Sequence, residues 1–114
     1  LLVNIQSAEE FASHQLNRDT WSDPIVKEAI KASFLFVQMY ASSEEGRKIA
    51  SRYKVGRMPC ILVIDPLTAA KVYGKEGQFV DAQTLLDALM PFMDHGPLHF
   101  HEREKEEARE REAR

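Results

Sequence analysis

A proline opens the most apolar run of this chain. Met58-Pro59-Cys60-Ile61-Leu62-Val63-Ile64-Asp65-Pro66 starts at one proline and stops at another. Proline has no backbone N–H, so it belongs at the first position of a strand and not inside one. Between the two lie β-branched and aliphatic residues without alternation, the pattern of a strand buried on both faces. X-Pro bonds also adopt the cis form, usually in a tight turn, which makes Met58–Pro59 a candidate cis bond. A chain with this run has to build a covered sheet around it.

The rest of the sequence supplies the covering elements. Leu1 to Ile5 reads as a second buried strand. Ser7 and Glu10 form a capping-box pattern for a short helix over 8–14 with Phe11 as its apolar anchor. Asn17-Arg18-Asp19-Thr20 is polar and turn-like. Asp23 followed by Pro24 starts a second helix, with Ile25, Val26, Ala29 and Ile30 as its inward stripe. Phe34 to Tyr40 is aromatic and β-branched, hence strand. Ser42 or Ser43 caps a third helix ending near Tyr53, with Ile49, Ala50 and Tyr53 facing in and Gly56 as its stop. After the Pro59 strand, Ala70 to Tyr73 pairs antiparallel, and Gly74 and Gly77 mark loops or a bulge. Asp81 caps a last helix carrying Leu85, Leu86, Leu89, Met90, Phe92 and Met93, which Pro91 ends or kinks. The order β, α, α, β, α, β, β, α predicts an α/β layered sandwich with a mixed central sheet, its parallel pair made by a right-handed crossover.

Charge and composition narrow the function classes. The 114 residues suit one domain, and the net charge of −3 gives no broad attraction for nucleic acid or anionic membrane. No apolar run approaches the roughly 20 residues of a spanning helix. The chain begins inside a strand-like run, which reads as a segment of a longer protein. Residues 102–114 carry six acids and five bases with opposite charges at i+3 and i+4, as in Arg103 with Glu107. They predict a solvated, charged C-terminal helix or linker over 97–114, without the apolar seam of a coiled coil.

One cysteine, Cys60, is present. It forms no internal disulfide, which suits a cytoplasmic or nuclear protein, and at the start of a strand it reads as a small buried apolar side chain. His95, His99 and His101 lie near Glu102 and Glu104, but two-residue spacing on a helix points His99 and His101 apart, so no metal site is expected. No phosphate-cradling glycine loop and no acid–base carboxylate pair is visible, and no cofactor is expected. The segment Asn17, Arg18, Asp19, Trp21 is the candidate interaction surface, because Trp and Arg dominate interface hot spots; the alternative is that Trp21 covers the core while Arg18 and Asp19 pair locally.

The stretches Leu2-Val3-Asn4-Ile5-Gln6-Ser7, Glu10-Phe11 and Leu16-Asn17-Arg18-Asp19-Thr20-Trp21, with Pro59 through Pro66 and Leu89-Met90-Pro91-Phe92-Met93-Asp94, resemble the UAS domain of UBX-domain proteins over about residues 1–96. The resemblance implies a thioredoxin-like three-layer sandwich. A dithiol oxidoreductase of that fold carries Cys-x-x-Cys after the first strand, where a helix N-terminus lowers the first thiol's pKa. Here Gln6 to Trp21 contains no cysteine, so dithiol chemistry is excluded and a non-catalytic role is implied. The same resemblance implies an adaptor whose other domains dock on the valosin-containing AAA ATPase and hold ubiquitinated proteins or ubiquitin-ligase components. In the fatty-acid-associated-factor type of relative, the domain binds long-chain unsaturated fatty acids and oligomerises. That alternative needs an apolar groove with bases such as Arg47, Lys48 and Arg52 for the carboxylate. A third reading is a spacer between flanking modules. Ala69 stands where the family usually has glycine after Pro-x-Thr.

Overall fold

The computed structural model describes residues 1–93. The charged tail and the histidines from His95 onward lie outside the described residues. Strand β1 (Leu2–Gln6) leads through helix α1 (Phe11–Gln15), a π-helical turn (Leu16–Thr20) and helix α2 (Pro24–Ser33) to β2 (Phe36–Tyr40). Helix α3 (Glu44–Arg52) then leads to β3 (Cys60–Ile64), which hairpins into β4 (Lys71–Glu76) before helix α4 (Ala82–Met93). The strand order is β2-β1-β3-β4. β1 and β2 are parallel, and β3 is antiparallel to both β1 and β4. This is the mixed sheet and layered sandwich that the sequence predicts.

The two central strands are buried at every position. Alternate residues therefore feed two cores. Leu2, Ile61 and Val63 pack with Leu16, Val26, Ile30, Leu85 and Leu89 on the α1, α2 and α4 side. Val3, Ile5, Cys60, Leu62 and Ile64 pack with Ile49, Ala50 and Tyr53 on the α3 side. Each such aliphatic side chain contributes roughly 1.5–3 kcal/mol by burial, which is why the β1–β3 pair forms the stable centre.

Capping explains where several helices begin. Asp23 accepts hydrogen bonds from the Ile25 and Val26 N–H groups at 2.9 and 3.1 Å, with Pro24 at the first helical position. Ser43 Oγ accepts from the Gly46 N–H at 3.0 Å, and Asp81 accepts from the Thr84 N–H at 2.8 Å.

Several local expectations are corrected. Ser7 does not cap a helix at 8–14. Its own N–H is spent on Ser13 Oγ and its hydroxyl on the Glu9 N–H, and α1 starts only at Phe11. Phe11 is 69% exposed, and Leu16 is the anchor instead. Asn17–Thr20 is a π-helical turn rather than a loop, closed by a Trp21 N–H to Leu16 carbonyl bond of 2.8 Å, with Thr20 buried. Helix α3 stops at Lys54, not at Gly56. Lys54 has φ 56°, and the Val55 and Lys54 N–H groups return to the Ala50 and Ser51 carbonyls, a Schellman arrangement. Gly74 lies inside β4 and Pro91 inside α4, while Ile25 and Met90 point to solvent.

Candidate functional site

The first loop after β1 is where a dithiol would sit. Ser7 to Glu10 occupy it, with the Glu10 N–H bonded to the Ser7 carbonyl at 3.1 Å. His14 Nε2–H reaches the Ala8 carbonyl at 2.8 Å and ties the loop to α1. Facing it is the Met58–Pro59 peptide, which is cis. The Gly77 N–H donates to the Pro59 carbonyl at 2.9 Å. Gly77 has φ 77°, and a Cβ there would come within 3.2 Å of Arg57 Cβ, so the arginine closes over a position that suits glycine.

Between these loops lies a cleft of about 350 Å³ lined by Ser7, Glu10, Ala41, Arg57, Met58 and Gly77. A second cleft, of about 340 Å³, shares Ser7 and Ala41 with it and adds Gln6, Glu9 and Tyr40. A third, of about 210 Å³, shares Gln6 and Tyr40 with the second and adds Asn17, Gln38 and Met39. The three make one groove from the cis-proline loop, across the C-terminal ends of β1 and β2, to the outer edge of the sheet.

Four carboxamides are linked at one end of this groove, where Gln6, Asn17 and Gln38 line it and Asn4 is fully buried. Asn4 and Gln6 are two apart on β1 and share a face; Asn4 pairs in register with Gln38 of β2. Gln6 Nε2 donates to Asn4 Oδ1 and, at 2.7 Å, to Asn17 Oδ1. Asn17 Nδ2 donates back to Gln6 Oε1 at 3.0 Å. Gln38 Nε2 donates to Asn4 Oδ1 at 3.2 Å, and Asn4 Nδ2 donates to the Cys60 carbonyl at 3.0 Å. Buried amides are tolerated because both ends find partners. The polar pair at positions 4 and 6 of an otherwise apolar strand is the signal that a sequence reading passes over.

Cys60 is buried on the α3 side of β3, and burial pushes its thiol up to about 11, so it carries no thiolate near neutral pH. Among the described residues no group of three or more His, Cys, Asp or Glu side chains is placed to hold a metal ion.

The sequence-predicted surface is only partly a surface. Trp21 is 7% exposed and packs its ring 4.8 Å from that of Phe36, so it covers the core rather than standing out from the surface. Its Nε1–H has no hydrogen-bond partner among the described residues. Arg18 and Asp19 are exposed and spend their charges on each other in a 2.7 Å ion pair. The Arg18 guanidinium, hydrogen-bonded to Asp19, lowers that carboxyl below its ordinary range. Asn17 alone of the four lines the groove. Pro59 is buried, and its neighbour Met58 lines the groove's other end.

A family model described as thioredoxin-like matches residues 1–66. The chain belongs to the thioredoxin-like family. The solution structure of a thioredoxin from Thermus thermophilus superposes with a TM-score of 0.68 at 25% identity, over 78% of this chain and 69% of that one. The relatives it matches at higher identity carry a different name. Plant UBX domain-containing protein 7 of Arabidopsis thaliana is 50% identical over 97 residues, 85% of this chain and 20% of that protein. The UBX domain-containing protein 7 homolog of Dictyostelium discoideum is 40% identical over 93 residues, 82% of this chain and 18% of that protein. UBX domain-containing protein 2 of Schizosaccharomyces pombe is 37% identical over 94 residues, 82% and 22% respectively. This thioredoxin-like chain thus resembles a UAS-type domain of UBX proteins and spans about a fifth of the length of those relatives.

Proposed function

We propose that this domain is a non-catalytic protein-interaction module of a ubiquitin-pathway adaptor that works with the valosin-containing AAA ATPase. The observation that carries the reading is the pairing of UBX-named relatives with a redox position that has no sulfur: Ser7–Glu10 face the cis-proline loop across an open cleft. On this reading the domain occupies about residues 1–96 and works in the cytoplasm or nucleus. Ubiquitinated proteins or ubiquitin-ligase components contact the groove between Arg57–Met58 and Asn17, with the Arg18–Asp19 pair at its flank.

The fatty-acid alternative has less behind it. The three clefts carry a mixed polar lining and none includes Arg47, Lys48 or Arg52. Arg47 donates to the Ser42 carbonyl, Lys48 pairs with Glu44, and Arg52 stacks over Tyr53. Titrating ubiquitin conjugates into isotope-labelled protein tests the leading reading. Amide shifts are expected at Ser7–Glu10, Arg57, Met58 and Gly77. Shifts confined to residues beyond Met93 would overturn it.

A further inference from the structure

Asn17 is brought to the groove by the π-helical turn, a geometry that recurs at functional sites. The turn buries Leu16 and Thr20 and sets Asn17 against Gln6 at the end of β1. Gln6 is 6% exposed and Asn4 is fully buried, so the pair behind Asn17 belongs to the interior. The position is also one that favours a ligand. β1 and β2 are parallel neighbours, and the helices that follow them pack on opposite faces of the sheet, α1 and α2 on one and α3 on the other. Open α/β sheets form their ligand crevices at the carboxyl ends of such strands.

A carboxamide offers two N–H groups and an oxygen with two acceptor sites. Gln6 uses both N–H groups, on Asn4 and Asn17, and Asn4 Oδ1 accepts from both Gln6 and Gln38. These buried groups orient the two exposed amides. Asn17 is tied to Gln6 by a reciprocal pair of 2.7 and 3.0 Å, which leaves its second N–H directed away from Gln6. Gln38 is tied through Nε2 to Asn4 at 3.2 Å, and the same nitrogen reaches Asn17 Oδ1 at 3.5 Å. Among the described residues Gln38 Oε1 accepts no hydrogen bond. One spare donor and one spare acceptor thus stand side by side at the cleft of about 210 Å³.

Charge narrows what fits there. The lining of Gln6, Asn17, Gln38, Met39 and Tyr40 contains no carboxylate, ammonium, guanidinium or imidazole. Arg18 and Asp19, next in sequence to Asn17, hold each other at 2.7 Å. An ion entering this cleft would lose water without meeting a counter-charge. A neutral amide loses less and finds both partners, its oxygen on the Asn17 N–H and its own N–H on Gln38 Oε1. The Tyr40 ring, in a residue 56% exposed, stands beside them as an apolar wall with a polar tip.

We propose that Asn17 and Gln38, oriented by buried Asn4 and Gln6, form a recognition site for one neutral amide of a bound partner, supplied by an Asn or Gln side chain or by a main-chain peptide group. The site rests on the groove being the interaction surface proposed above, and it adds what that end of the groove reads.

Blocked tripeptides test it and separate the two sources. The isotope-labelled 114-residue chain is titrated to millimolar ligand with acetyl-Ala-Gln-Ala, acetyl-Ala-Ala-Ala and acetyl-Ala-Glu-Ala, each as its N-methylamide. The side-chain NH₂ signals of Asn17 and Gln38 are followed. Shifts with the glutamine peptide alone assign a side-chain amide, and equal shifts with all three assign the main-chain group. Gln38→Leu, at an exposed position, should keep the dispersed amide spectrum of the parent and weaken binding about fivefold, as expected for one lost neutral hydrogen bond. No shift of these signals with any peptide, a response strongest to the glutamate peptide, or unchanged affinity in Gln38→Leu would overturn the proposal. Ubiquitin conjugates that shift Arg57 and Gly77 while the tripeptides stay silent would remove the amide site and leave the interaction surface standing.

Discussion

Ala69 holds φ 61° in the β3–β4 connection, a left-handed conformation that costs an L-residue with a Cβ about 1–2 kcal/mol. Its geometry is fixed from both sides. Its N–H bonds the Asp65 carbonyl at 2.7 Å and its carbonyl takes the Tyr53 hydroxyl at 2.7 Å. Replacing Ala69 with glycine removes the steric cost and returns part of it as chain entropy. Thermal unfolding followed by circular dichroism should show Ala69→Gly more stable by roughly 0.5–1 kcal/mol. Cys60 gives a second residue-scale prediction. Because burial raises the thiol to about 11, iodoacetamide at pH 8 should leave the native protein unmodified for hours and alkylate it fully in denaturant. Rapid alkylation of folded protein, read by mass spectrometry, would contradict the buried placement.

At the scale of elements, the helices differ in how they start, and the differences are measurable. Asp23 caps α2 through two backbone N–H groups, so Asp23→Ala should cost about 1 kcal/mol in denaturant unfolding. Asp81 caps α4. The Thr84 N–H that it accepts lowers its carboxyl below the ordinary value. A carboxyl with a depressed folded pKa adds stability above its unfolded pKa and loses it as pH falls through the folded one. Asp81→Asn keeps a capping oxygen but cannot titrate, so its stability should fall less steeply than that of the parent below about pH 4. These starts were legible because Asp-Pro and a lone Asp before an apolar helix act locally. The π-helical turn was not legible. It depends on Leu16 and Trp21 both being drawn into a core whose other walls come from Val26, Val80 and Leu85, which no local pattern encodes. For Trp21 the sequence leaves the surface and the core both open, and only the assembled fold decides for the core, because a polar neighbourhood in sequence surrounds a residue with an apolar one in space. The Lys54 stop was missed because a Schellman turn was read from its usual glycine, while here the return bonds to Ala50 and Ser51 hold a lysine at positive φ.

For the whole molecule, the sheet sets the hierarchy of stability. β1 and β3 are central and buried throughout, whereas β2 and β4 are edges. Hydrogen exchange should therefore be slowest at Val3–Ile5 and Ile61–Val63 and faster along Lys71–Glu76. Equal protection of β4 and β1 would mean that the edges do not open first. The architecture itself was readable from the Pro59 strand and the order of elements. The groove was not, because it is assembled from Ser7, Tyr40, Met58 and Asn17, four places far apart in sequence. One property of that groove follows from the amides at Asn4, Gln6, Asn17 and Gln38. Carboxamides trade donors for acceptors by rotating, and they neither gain nor lose a proton between mild acid and mild base. That corner of the molecule keeps its shape and neutrality when its surroundings acidify, where a carboxylate in the same place would have made it a sensor.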